Sequence, residues 1–190
     1  PAEIEMNNGT VTLLGALKVD GYMGGTATNR VVVNGGAINS GTYVGPGVAV
    51  RSAGDTLAPG ILEINGGVVS CLNPIRMFEN ENELEIFLNE GGTLKSAGMA
   101  CGSATTGAGV FHANGGTYVP LNNDVTMYAR YFRHFYLGEK GLVIDTTEGR
   151  AAYGAVCDFH LAPVLERDPA LPAGVSDGGL RIRGSGICFL

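Results

Sequence analysis

The residues able to do chemistry in this chain sit in a few short phrases, and one phrase is dense. Tyr128-Ala129-Arg130-Tyr131-Phe132-Arg133-His134-Phe135-Tyr136 gathers aromatic rings, two arginines and a histidine. Aromatic faces beside guanidinium groups stack on sugars or on another protein, which makes Arg130, Tyr131, Arg133, His134 and Tyr136 the candidate binding residues. The competing reading is a strand whose alternate rings fill a core beneath a turn. His112, His134 and His160 lie 22 and 26 residues apart, a spacing that admits a shared face. No carboxylate phrase accompanies them, so neither a metal nor another cofactor is expected. Asp124, Asp145, Asp158 and Glu148 are the carboxylates to weigh for paired acid chemistry on polysaccharides. None stands in a recognisable catalytic phrase. Asp145 follows an apolar strand and precedes Thr146 and Thr147, which reads as a turn.

The four cysteines show no CxxC pairing, which leaves zinc and thioredoxin-type chemistry little to stand on. Cys71 and Cys101 are 30 residues apart, and Cys157 and Cys188 are 31 apart. Either separation can bring two sulfurs onto neighbouring coils as a disulfide, or leave buried free thiols. Gly-Gly and Gly-x-Gly phrases recur, but no helix follows them to complete a phosphate cradle.

The elements that would position these residues come from a repeat. Alternating apolar residues, a glycine pair usually preceded by Asn, and a second alternating stretch return seven times. Examples are Val33-Asn34-Gly35-Gly36-Ala37-Ile38, Ile64-Asn65-Gly66-Gly67-Val68-Val69 and Ala113-Asn114-Gly115-Gly116-Thr117-Tyr118. The last glycines of the phrases stand at positions 9, 36, 67, 92, 116, 141 and 179. A period of 20–50 residues points to a solenoid, and flanks that alternate with period two point to strands with one face inward. Antiparallel hairpins are the alternative, since Asn-Gly corners also serve them, but hairpins would return every 8–12 residues. The expectation is an all-β, right-handed parallel β-helix of about seven coils, a single β-solenoid segment over residues 1–190. Six steps at about 4.8 Å give a rod about 29 Å long. Val33, Ile64, Leu88 and Leu137 should then form one interior column. The stretch near 163–175, rich in proline and charge, reads as a surface loop or a short capping element.

Composition narrows the class. Thirty-one glycines against 16% charged residues fit a fold made of turns, and 45% hydrophobic residues argue against disorder. A formal charge of −6 offers no basic surface for nucleic acid. No apolar run is long enough to span a bilayer as a helix.

At the C-terminal end, Gly178-Gly179-Leu180-Arg181-Ile182-Arg183-Gly184-Ser185-Gly186-Ile187-Cys188-Phe189-Leu190 resembles the opening of the autotransporter-associated β-strand repeat, GGLxKxGxGxLxL. Val11-Thr12-Leu13-Leu14-Gly15-Ala16, Gly21-Tyr22-Met23-Gly24-Gly25-Thr26-Ala27 and Val33-Asn34-Gly35-Gly36-Ala37-Ile38 resemble its continuation. Asn114-Gly115-Gly116-Thr117 and Gly141-Leu142-Val143-Ile144-Asp145-Thr146 are similar to its NGGT and GGxxIDT phrases. The resemblance implies a right-handed β-helix in long bacterial surface or secreted proteins, without implying a catalytic residue. The chain is therefore expected to be a stretch of a longer extracellular protein, structural or adhesin-like, that contacts glycans or surface proteins. End-to-end or lateral self-association is also expected, because terminal coils expose unpaired strand edges. A β-helical polysaccharide lyase or glycoside hydrolase is the alternative, and a phage tail-fibre or self-assembling scaffold the remaining one.

Overall fold

A computed structural model of the chain describes residues 2–19, 28–46, 59–79, 82–101, 109–122, 125–148, 159–186 and 188–189. Within them, strands follow one another around a rod. The first side carries β1 (Glu3–Met6), β4 (Arg30–Val33), β7 (Gly60–Ile64), β10 (Asn82–Asn89), β13 (Gly109–Asn114), β16 (Phe132–Leu137) and β19 (Leu165–Arg167), hydrogen-bonded in that order. The second carries β2 (Thr10–Leu13), β5 (Ala37–Ser40), β8 (Gly67–Cys71), β11 (Gly92–Ser96), β14 (Thr117–Pro120), β17 (Leu142–Asp145) and β20 (Leu180–Arg183). The third side is shorter and interrupted. It pairs β3 (Leu17–Lys18) with β6 (Val44–Gly45), β9 (Ile75–Glu79) with β12 (Met99–Cys101), and β15 (Val125–Met127) with β18 (Phe159–Leu161) and β21 (Cys188–Phe189). All these neighbours are parallel, and a short antiparallel contact of β9 with β10 is the exception. The chain is thus a parallel β-solenoid. Five coils, those headed by β4, β7, β10, β13 and β16, have a neighbour on both sides in the first sheet.

Strand alternation places the apolar residues in columns. Met6, Val33, Ile64, Leu88, Ala113 and Leu137 stand in register down the first sheet and are buried, so the expected column forms. A second inward column runs Val31, Leu62, Ile86, Phe111 and Phe135. From the second sheet, Ile38, Val69, Leu94, Tyr118 and Ile144 face them, and Ile75, Met77, Met99, Met127, Phe159 and Leu161 close the third side. Each coil contributes a few side chains and buries them only by stacking on its neighbours.

The corner between the first two sheets explains the repeated glycine. Gly9, Gly36, Gly67, Gly91, Gly115, Gly141 and Gly179 all have φ between 61 and 92° there. In the fourth and fifth phrases the left-handed residue is therefore Gly91 or Gly115, one position ahead of the glycine that marks the period. At Gly67 (φ 71°) an added Cβ would also stand 2.4 Å from the carbonyl oxygen of Gly36, so the corner excludes a side chain twice over. The asparagine ahead of the glycines has its own task. Asn34 Nδ2 donates to Asn7 Oδ1 (3.0 Å), Asn65 Nδ2 to Asn34 Oδ1 (2.9 Å), and Asn89 Nδ2 to Asn65 Oδ1 (2.7 Å), forming an amide ladder along the rod. Asn114 stands next in register and accepts from the Lys140 backbone N–H (3.1 Å).

The stretch expected to be one loop near 163–175 is divided. Leu165–Arg167 is a strand that pairs with β16, because half-buried Leu165 sits in register with Phe135 and packs on the core. The loop proper follows, from 168 to 179, wrapped around Arg167. Its guanidinium donates to the carbonyls of Leu171 (2.9 Å), Pro172 (2.6 Å) and Val175 (3.1 Å).

Candidate functional site

The dense phrase of the sequence resolves into two parts. Tyr128 and the 3-10 turn Ala129–Tyr131 form a corner in which the Arg130 guanidinium lies 4.9 Å from the Tyr128 ring and 5.3 Å from the Tyr131 ring. After it, β16 should place every second residue inside, yet both Phe132 and Phe135 are buried. A β-bulge reconciles them. Gly109 pairs with Phe132 and Val110 with His134, so Arg133 is the extra residue and turns outward. The core-filling reading thus applies to Phe132 and Phe135, while Arg133, His134 and Tyr136 lie on the outer face.

That face joins residues from four coils. Phe87, His112, Tyr136 and Glu166 stand in register on β10, β13, β16 and β19. The Phe87 and His112 rings stack at 4.3 Å and 10°, His112 meets Tyr136 at 5.1 Å, and His134 stacks beside Tyr136 at 5.0 Å and 9°. His112 Nε2 is 3.0 Å from Glu85 Oε1 and its Nδ1 is 3.2 Å from Asp168 Oδ2. His134 Nδ1 is 3.0 Å from Glu166 Oε1, and Arg133 reaches Glu83 at 2.8 Å. Burial, the largest single influence on His112, works against the charged ring, but the hydrogen bonds and charges of Glu85 and Asp168 outweigh it and raise the pKa. The Tyr136 phenol is raised as well, by desolvation first and then by Glu166 and Asp168.

Several of these pairs pass over a coil. Glu83–Arg133, Glu90–Lys140 and Lys95–Glu148 each join the coil headed by β10 to the coil headed by β16, and His112–Asp168 joins those headed by β13 and β19. Gly115 lies under the Glu90–Lys140 bridge, where an added Cβ would stand 2.9 Å from Lys140 Cβ and 3.2 Å from Glu90 Cβ.

Beside the bulge lies a cleft of about 240 Å³, lined by Phe132, Phe135, Pro163 and Val164 with Arg133, His134 and Glu166. Its lining mixes apolar with chargeable side chains, the combination that holds a small ligand in a set orientation. Val164 is 76% exposed and leaves part of its wall open to contact.

The other expected residues are placed elsewhere. Asp145 and Glu148 belong to the second side. Asp145 Oδ1 accepts from the Thr147 N–H (2.9 Å), the turn that its neighbours suggested, and hydrogen bonding from Thr147 holds its carboxyl below the usual range against the effect of burial. Glu148 pairs with Lys95. Asp124, Asp158 and Cys157 lie outside the described residues. His160 is on β18 of the third side, in register with Thr126 and away from the other two histidines. His112 and His134 are not in register with each other either, and Tyr136 stands between their rings. Among the described residues, no group of three His, Cys, Asp or Glu is arranged to hold a metal ion. Cys71 is a free thiol in register with Ser40 and Ser96, whereas Cys101 pairs with Phe78 on the third side, so the 30-residue spacing does not make them stacking partners. Cys188 is a free thiol too. Glu85, Glu83, Glu166 and Asp168 complete the outer face, and no phrase in the sequence singled them out. The signal open to reading was coil length: one coil separates Glu85 from His112 and His134 from Glu166, and two separate Glu83 from Arg133 and His112 from Asp168.

Comparison with protein-family models, with curated proteins and with solved structures gives no match; the architecture, a parallel β-solenoid, is consistent with a β-helix repeat protein.

Proposed function

We propose that the chain is a non-catalytic segment of a bacterial cell-surface or secreted β-helix of the autotransporter passenger kind, and that it contacts glycans through the outer face of β16. The cleft beside the bulged Arg133 carries this reading. A sugar ring has an apolar C–H face and a rim of hydroxyls. The cleft offers the exposed Val164 side chain as its apolar contact, with guanidinium, imidazole and carboxylate groups beside it. An inserted bulge is a common way for a strand to aim a side chain at a ligand. The stacked faces of Phe87, His112 and Tyr136 are turned toward one another, which leaves the cleft as the recess on this face open to a ligand.

Retention on immobilised plant, mucin and bacterial polysaccharides, with product release read in the same wells, tests the reading. Retention by the chain that falls at least tenfold in Arg133→Ala and Val164→Asp supports it. Release of shortened or unsaturated products would replace it with a lyase or hydrolase, and absence of retention on every polysaccharide would remove the glycan.

A further inference from the structure

We infer that His112 is a proton-operated latch that fastens the last described coil and its 168–179 loop to the body of the solenoid. The geometry carries this. The imidazole stands between two carboxylates that come from opposite directions along the rod, Glu85 on β10 and Asp168 just after β19. Only the protonated ring has an N–H for each of them. A neutral imidazole donates from one nitrogen and presents a lone pair from the other, so loss of the proton turns one of the two contacts from attraction into repulsion.

Asp168 is the end that can let go. Its contact is the longer of the two, 3.2 Å against 3.0 Å, and it spans a whole intervening coil. Its backbone N–H bonds Leu137 O (2.9 Å), and its Oδ1 holds the Ala170 N–H (2.8 Å), so the side chain that meets His112 is also the one that starts the loop. The ring itself is held in place by Phe87 on one face and Tyr136 on the other. The His112 and Asp168 side chains are each 16% exposed, which limits screening of the contact by solvent.

The charged and titratable groups around the ring are Glu83 and Glu85 from β10, Arg133, His134 and Tyr136 from β16, Glu166 and Arg167 from β19, and Asp168. Arg133 is paired with Glu83, Glu166 with His134, and Arg167 with loop carbonyls, which leaves Glu85 and Asp168 as the carboxylates that answer to His112. With the folded-state pKa raised, the latch is closed below the ordinary histidine value of about 6.5 and is lost as pH rises through the folded value.

The experiment is amide hydrogen exchange of the whole chain between pH 5.5 and 8, corrected for intrinsic rates, together with an NMR titration of the His112 ring. Protection at Asp168, Gly178 and residues 180–183 should fall with rising pH, by about tenfold for each unit that the His112 midpoint lies above 6.5. Amides of β5 and β8 should not follow. In His112→Gln, whose amide neither gains nor loses charge, the pH dependence of that segment should shrink to what the His134–Glu166 pair of the same coil supplies, and should vanish in His112→Gln/His134→Gln. A His112 midpoint at or below 6.5 in the unaltered chain would overturn the latch. So would a pH dependence that persists unchanged in His112→Gln.

Discussion

Replacing Asn65 measures what the amide ladder contributes. Its side chain donates to Asn34 Oδ1 (2.9 Å) and Glu63 Oε1 (2.8 Å) and accepts from Asn89 Nδ2 (2.7 Å). Asn65→Ala removes all three. A hydrogen bond contributes about 0.5–1.5 kcal/mol net, and this corner is half-exposed, so water replaces part of the loss. The sum is roughly 2 kcal/mol. Asn65→Asp keeps the shape but exchanges the donor for a carboxylate oxygen that faces Asn34 Oδ1 and the Glu63 carboxylate. At pH 7 it should be at least as destabilising as Asn65→Ala. Near pH 4, where its carboxyl regains a proton and with it a donor, its deficit relative to Asn65→Ala should close or reverse. Urea denaturation of the three chains at both pH values gives the comparison, with the slope of each transition checked because stacked repeats can unfold in parts. Loss of less than about 0.5 kcal/mol in Asn65→Ala would refute the ladder as a source of stability. It would leave the positive-φ glycines as the reason for the repeated phrase.

Gly67→Ala should cost about 2 kcal/mol or more, because a left-handed backbone and a 2.4 Å approach to Gly36 O both oppose the methyl group; thermal unfolding followed by circular dichroism reads it. Cys71 is buried, and desolvation pushes its thiol up to about 11 despite a hydrogen bond involving Val44, so alkylation at pH 7.5 mapped by mass spectrometry should spare it in the native chain and mark it in denaturant. Arg167→Ala removes the donor around which residues 168–179 are wrapped, and limited proteolysis should then cut between 170 and 177 at least tenfold faster.

The interior of the rod was legible in the sequence because inward positions on a strand recur every second residue and the glycine phrase marks the same corner of each coil. Val33, Ile64, Leu88 and Leu137 form their column for that reason. The phrase around Arg133 was half legible. Its rings announced a core or a binding patch, but one inserted residue lets Phe132 and Phe135 share the inside, and alternation alone cannot show an insertion. The spacing of the histidines suggested a common face, and the bulge is what turns His134 onto the outer face with His112, two residues away from its register partner Tyr136. Cys71 and Cys101 were misleading for a related reason. Coil lengths vary, so 30 residues lead from the second side of one coil to the third side of the next. The meeting of Glu85 and Asp168 at His112 was out of reach, because the His112–Asp168 contact passes over the intervening β16 coil.

Those contacts bear on how the rod yields to a pull along its axis. Coils that touch only their neighbours peel away one at a time, each releasing one coil length of chain. Here Glu83–Arg133, Glu90–Lys140 and Lys95–Glu148 tie the coil headed by β10 to the coil headed by β16, with the β13 coil held between. Partly exposed pairs of this kind contribute little each. Their effect is small for equilibrium stability but is concentrated where a crack must start. In a force-extension trace, the region from β10 to β18 should therefore rip as one block of three coils, and high salt should split the rip into single-coil steps.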